Sequence, residues 1–589
     1  MSHFVACAPG PSYPSGVTDA TVEGGLDEPA GLEPEQGSLA LAAPEDTHGR
    51  ADWEAAAAAV LRKSRRLTDE DDDSLVWRKL TRTTLDGIGI TPLGTADLLD
   101  DLQTSGRPTR TGDWDVRAHL GVTDAKAAHE EAMTDLENGV TSLWLRLKPD
   151  ADLDTLLDGV YLDLAPVVLD TTDDALGAAR AFLAHAEDVE LHAATNLGIP
   201  AAEASAEGAE LAGGAGVLGF VVDATPVHDR GASDVQELAH SMQVATAYLR
   251  RLTESGVSVD DAAALVEFRY AATDEQFPTI AKLRAARRLW ARVLELSGAA
   301  AHQQRQHAVT SRPMLSAYDP WVNMLRTTVA AFAAGVGGAD AVTVLPFDSP
   351  LGRPDAFGRR IARNTSALLI AESHVARVAD PAGGAYAVEK LTDDLAVAAW
   401  DLFTRLDGGE DLEPLVAATA AERDRLVATR ARPLTGLSEF PNLGETIPER
   451  EPDPFAPDVR RYGAAFEALR DAPPAGTVFL ATMGTVAAHT ARATFATNLL
   501  AAGGIAVDVA GATESPEDLV AAYAGQRVVC LAGSDGAYDA WGAEAAAALR
   551  DAGAQWVVVA GKARDEADDS AAMGVDALAF LERTREKLA

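Results

Sequence analysis

The chain has 589 residues, with 50 Lys and Arg against 90 Asp and Glu, so its formal net charge is −40. A balance this acidic repels phosphate backbones and anionic lipid, which disfavours a dedicated nucleic-acid or membrane-surface role. At roughly 150 residues per domain the length suits three or four domains, fewer if one is a large α/β barrel, and the 47% apolar content is enough for a large core. Two cysteines, Cys7 and Cys530, lie far apart, which excludes a disulfide framework and a C-x-x-C redox pair and suits a reducing cytoplasm. No Lys or Arg precedes Arg50, so no signal or transit peptide is expected. No apolar run reaches the ~18 residues of a membrane span.

In chain order, residues 1–50 are rich in Gly, Pro, Glu, Asp and Ala with little apolar periodicity, and read as a disordered acidic tail. Residues 51–104 form a helical and extended segment, opening on an Ala-rich helix over 52–66 with a basic end. From 105 to 435, short apolar runs alternate with helical stretches. The predicted strands are 142–147, 160–164, 189–193, 217–223, 307–310 and 341–345; the predicted helices are 125–138, 174–186, 233–254 and 277–296. Such alternation argues for a parallel sheet, over a length that accommodates an eight-stranded (β/α)8 TIM barrel. Residues 436–472 are a proline-rich linker. Over 473–589 strand and helix alternate again (477–481, 487–502, 505–509, 516–524, 527–531, 537–552, 556–560), the pattern of a flavodoxin-like doubly wound domain.

Two motif-like features lead elsewhere. Gly214, Gly216 and Gly219 spell G-x-G-x-x-G, but a helix precedes them and a strand follows, the reverse of the dinucleotide fingerprint. His302 and His307 are five apart, on different faces of a helix, with no third ligand at metal spacing, so no metal site is expected.

One long stretch is far more specific. Arg360-Ile-Ala-Arg-Asn-Thr365, Leu368, Leu369, Glu372, Ser373, Arg377, Val378, Asp380, Pro381, Gly383 and Tyr386 resemble, in register, the signature of the methylmalonyl-CoA mutase family. Ala371 departs from it, where the family usually has Gln or Glu. Lys282 to Trp290 resembles a barrel helix of the family, and Trp77 to Ile88 resembles the opening of its small (beta) subunit. Taken without the resemblance, Arg359, Arg360 and Arg363 partly share a helix face and read as ion-paired wall residues rather than ligand contacts.

The resemblance implies a substrate-type barrel followed by a cobalamin-type domain, and a reaction interconverting succinyl-CoA and (R)-methylmalonyl-CoA by an adenosylcobalamin-initiated radical rearrangement. Active members present Asp-x-His-x-x-Gly, whose His ligates cobalt. Here Val486, Ala488 and Ala491 fall at those positions, and His489 is one residue off. Two further cofactor-contacting stretches of the family are degraded, at Ala532-Gly533-Ser534 and Ala560-Gly561. In the barrel, Pro226 stands where the family's substrate-binding His is expected, with His228 two residues later. Arg117 is kept, but His119 replaces the substrate-guiding Tyr. Leu143, Leu145 and Leu147 alternate with Trp144 and Arg146. The Leu face is expected to fill the barrel, where active members thread coenzyme A.

The expectation is a non-catalytic small subunit that pairs as a heterodimer with a catalytic large subunit in the cytoplasm. Adenosylcobalamin and the acyl-CoA substrate would sit in that partner. No catalytic, cofactor or metal residues are expected here, the nearest substitutes being His228, His119 and Arg117 in the barrel and His489 in the second domain. The alternative is a self-sufficient mutase with unorthodox cobalamin ligation.

Overall fold

The computed structural model describes residues 47–106, 110–148, 150–171, 173–300 and 303–589; Cys7, His302 and the expected tail up to residue 46 lie outside them. The chain divides into a unit ending at Leu80 and a unit running from Thr81 to Ala589. In the first, helix Arg50–Lys63 packs Ala58 and Leu61 against Val76 of helix Leu75–Leu80, with the Trp53 and Trp77 rings 4.5 Å apart.

The second unit opens into a closed parallel barrel of eight strands. They are β1 (Asp115–Gly121), β2 (Ser142–Leu147), β3 (Val167–Thr171), β4 (Asn196–Pro200), β5 (Leu218–Asp223), β6 (Val266–Ala272), β7 (Arg305–Thr310) and β8 (Ala341–Thr343), with β8 pairing back onto β1. This is the (β/α)8 architecture expected. Side-chain acceptors start the connecting helices: Asp124, Ser205, Ser233 and Ser258 each accept a backbone N–H of the helix they precede.

Strand placement differs from the expectation in three respects. The apolar runs 160–164 and 189–193 are loops, and the true strands β3 and β4 each lie seven residues later. Tyr161 and Leu164 are exposed, so apolarity there does not mark burial. Strands β1 and β6 were not expected, because their inward positions are charged. In β6, Val266, Phe268 and Tyr270 face the helices, with Phe268 edge-on to Trp290 (4.9 Å), while Glu267 and Arg269 point inward. The Leu face of β2 also faces the helices. Ser142, Trp144 and Arg146 point inward, so the barrel is filled by the opposite face from the one expected.

Beyond the barrel, a five-stranded parallel sheet contains β9 (Val478–Thr482), β10 (Val507–Val509), β11 (Val528–Ala532), β12 (Trp556–Ala560) and β13 (Asp569–Ala571) in the order β10-β9-β11-β12-β13. That order, 2-1-3-4-5, is flavodoxin-like. The proline-rich linker does not merely connect. Its helix Ala464–Asp471 buries Phe466 in the core of this second sheet.

Candidate functional site

The barrel interior is a stack of polar and aromatic side chains. At the floor, Arg117 donates to Glu267 (2.7 Å), Asp115 (3.1 Å) and Ser142 (3.1 Å). Above it, Arg269 donates from Nη1 to Asp223 (2.7 Å) and from Nε to His307 Nδ1 (3.1 Å), and its guanidinium lies 4.1 Å over the Trp144 ring. His307 completes the layer by donating from Nε2 to Thr343 (2.7 Å). Burial, then the neighbouring charges of Arg117 and Arg269, hold the His307 imidazole well below its ordinary pKa, so it is neutral.

Over this plug, at the C-terminal mouth where barrel enzymes place their chemistry, lies a cavity of about 920 Å³. Its floor is His119, tilted on Trp144 with ring centroids 4.3 Å apart. Burial first, then the guanidiniums of Arg312, Arg269, Arg146 and Arg359, push the His119 pKa well below the ordinary value. The guanidiniums on the cavity wall are already engaged: Arg146 with Asp170 (2.8 Å), Arg312 with Asp229 (3.0 Å), Arg353 with Glu131 (3.1 Å). Burial foremost raises the Asp229 carboxyl to about 6.

The roof is unexpected. Residues 452–459 of the linker cross the mouth as a strap. It is pinned at one end by Arg353 N–H to the Glu451 carbonyl (2.7 Å) and by Arg450 to Asp348 and Asp355 (2.7 Å each). At the other end the Arg460 N–H donates to the Asp229 carbonyl (2.9 Å). Phe455 rests on Gly121 at the end of β1, where an added Cβ would come within 3.1 Å of its ring. The residues lining the cavity run from His119 to Arg461 and include none from the second sheet.

The predicted site residues therefore separate. Only His119 faces the cavity, together with Thr225 and Pro226. Arg117 is a floor residue. His228 is turned into the wall, with Nε2 2.7 Å from Ser311 Oγ and Nδ1 3.6 Å from Glu237, itself bonded to Lys282 (2.6 Å). That pocket is a brace between helices Asp234–Glu254 and Gln276–Leu296. The family-like stretch is a brace as well. Arg359 and Arg363 share the Asp135 carboxylate, and Arg284 grips Asp380 (3.0 and 2.9 Å) and Glu389 (2.6 Å). The strap, Arg269 and Trp144 were not foreseen as site residues. Alternation in β2 places Trp144 opposite the Leu face but does not say which face turns inward, and the strap's path left no local signal.

In the second sheet the crevice at the strand-order reversal, between the ends of β9 and β11, is filled. Met483 is fully buried there, and a Cβ on Gly533 would meet Met483 Cβ at 2.9 Å. Tyr538 Oη accepts the Gly533 N–H (2.9 Å) and lies 2.9 Å from the Ala560 carbonyl and 3.1 Å from that of Leu531. Val486, Ala488, His489 and Ala491 belong to helix Val486–Ala502. His489 is buried in that helix with Nδ1 3.2 Å from the Gly484 carbonyl. Among the described residues no three His, Cys, Asp or Glu side chains converge to hold a metal ion, and no helix is long and apolar enough to cross a membrane.

Fold and site together define a two-part α/β protein, a (β/α)8 barrel with a roofed cavity at its C-terminal mouth joined to a flavodoxin-like sheet. The sequence pattern of the family described as methylmalonyl-CoA mutase matches residues 219–442. A methylmalonyl-CoA mutase small subunit from Streptomyces virginiae is 45% identical over 94% of this chain and 98% of its own length. The small subunit from Propionibacterium freudenreichii subsp. shermanii is 36% identical over 92% of this chain and 93% of its own. A protein named simply methylmalonyl-CoA mutase, from Rhizobium meliloti, is 37% identical over 33% of this chain and 27% of its own. The chain belongs to the methylmalonyl-CoA mutase family, alongside its small subunits.

Proposed function

We propose that this chain is the non-catalytic small subunit of a heterodimeric, cytoplasmic methylmalonyl-CoA mutase. It pairs with a catalytic large subunit that binds adenosylcobalamin and interconverts succinyl-CoA and (R)-methylmalonyl-CoA. The observation that carries the reading is the layer of Trp144, Arg269 and His307 across the barrel, which occupies the axis that active members need for coenzyme A.

The second sheet supports the same reading. A corrinoid needs an imidazole free to reach cobalt and an open crevice for its nucleotide tail. His489 is buried inside a helix, and Met483 and Tyr538 close the crevice. These residues do not fit the cofactor, and no step through it is assigned to this chain. What the chain retains is what a pairing role requires: two intact cores and a folded surface.

The test is a visible spectrum of the full-length chain after incubation with adenosylcobalamin and desalting, beside the same measurement on its co-purified complex. The expected result is no corrinoid band on the isolated chain and one on the complex. A stoichiometric band on the isolated chain, abolished by His489→Ala, would establish a self-sufficient mutase instead.

A further inference from the structure

We infer that the exposed face formed by Trp321, Leu325 and Phe357 is where the large subunit docks, an inference that rests on the small-subunit reading above. Helix Pro320–Val336 and helix Ala356–Ala367 follow β7 and β8 on the outside of the barrel. Trp321 and Leu325, one turn apart, are 51% and 66% exposed. Trp321 and Phe357 both pack on the buried ring of Phe347, at 5.1 and 5.8 Å, so the two helices present one continuous aromatic surface. Contiguous exposed apolar surface of this kind marks an interaction site more often than scattered single residues do.

Charge selects the occupant. The chain carries −40, yet neither helix holds a carboxylate. The one charge on helix Pro320–Val336, Arg326, is buried and donates to the Thr435 carbonyl (2.7 Å). On helix Ala356–Ala367, Arg359 and Arg363 are spent on Asp135. Arg360 remains exposed, 5.3 Å over the Phe357 ring, with no carboxylate partner among the described residues. A second copy of this chain would set the same neutral-to-basic face against itself. The exposed carboxylate nearest this face, the N-cap Asp355, is already held by Arg450 (2.7 Å) and the Gly358 N–H, so a second copy would offer Arg360 no free partner there, and two strongly acidic chains would repel. The face instead suits a different chain that brings apolar side chains into the Trp321–Phe357 surface and a carboxylate to Arg360. Tryptophan and arginine are the residue types that most often dominate such interfaces.

The test is sedimentation-velocity titration of the full-length chain with the large subunit of the same mutase. The variants are the pair Leu325→Asp with Phe357→Asp, the single Arg360→Glu, and the control Leu164→Asp, an equally exposed leucine at another face. The expected result is at least roughly 30-fold weaker binding for the pair and about tenfold for Arg360→Glu, with Leu164→Asp unchanged. Arg360→Glu alters only an exposed side chain, so it reports on the surface even where the apolar pair unfolds. If the unmodified chain binds and both face variants bind equally well, the docking surface is wrong while the small-subunit reading stands. If the unmodified chain does not bind at all, the reading falls and this surface with it. Self-association of the isolated chain that the face variants abolish would assign the face to a second copy and overturn the inference.

Discussion

The Arg269 guanidinium lies 4.1 Å above the ring of Trp144, inside the barrel. The pair joins β2 and β6 to three further strands, because Arg269 also holds Asp223 on β5 and His307 on β7 while the Trp144 ring carries His119 of β1. A cation buried against an aromatic face and bonded to a carboxylate is stable, whereas either partner alone would leave a desolvated group without compensation.

Trp144→Ala is therefore expected to act on stability. Truncating a fully packed Trp costs about 3–5 kcal/mol, and here it also strips the cation–π contact from Arg269. Urea unfolding should show the loss. If the barrel has no part in the chemistry, turnover of the reconstituted heterodimer at a temperature where the variant stays folded should match the unmodified complex.

The two barrel histidines should separate by readout. If the chemistry lies in the large subunit, as proposed, His119→Gln should leave kcat of the heterodimer within about twofold. A hundredfold fall, about 2.7 kcal/mol, would mean that this barrel does chemistry. His228→Ala should instead lower stability by about 1–3 kcal/mol, since it leaves buried Ser311 and Glu237 without their neighbour.

Asp86 is expected to set a pH dependence. Its carboxylate accepts from Ser233 Oγ and the Val235 N–H at the start of helix Asp234–Glu254. Burial foremost raises its pKa from 3.8 to about 6. The folded state thus holds the proton more tightly than the unfolded chain. This contribution to stability is fully present below the unfolded value and is lost as pH rises through about 6. Asp86→Asn, which cannot ionise, should gain on the unmodified chain by on the order of 2 kcal/mol between pH 4 and pH 7.5, read as the difference between two urea-unfolding series.

Tyr538→Phe should cost about 1–3 kcal/mol, because it removes the hydroxyl that satisfies the buried Gly533 N–H. Opening the crevice further with Tyr538→Ala should still yield no corrinoid band, since His489 remains inside its helix. The visible spectrum after desalting checks this.

Much of this was legible in the sequence. The alternation of elements after residue 105 and again after 476 reflects helices and strands that each need one apolar face, and that periodicity is local. So were the missing Asp-x-His-x-x-Gly residues and Pro226. Strands β1 and β6 were not, because a barrel interior can satisfy Arg117, Glu267 and Arg269 against one another, and those pairings join residues up to 150 positions apart. Apolar loops at 160–164 and 189–193 misled for the converse reason: Tyr161 and Leu164 are apolar yet exposed.

By itself, then, the sequence determined the two α/β parts, their order and the loss of the cofactor motif, since each depends on residues close together in the chain. The tertiary structure alone decided which face of β2 turns inward, that residues 452–459 roof the barrel mouth, and that Tyr538 fills the second crevice. Each of these depends on partners that only the folded chain brings together: Trp144 with Arg269, Phe455 with Gly121, Tyr538 with Ala560. Their energies come from burial and from hydrogen bonds completed across elements, and neither is written in the spacing of neighbouring residues.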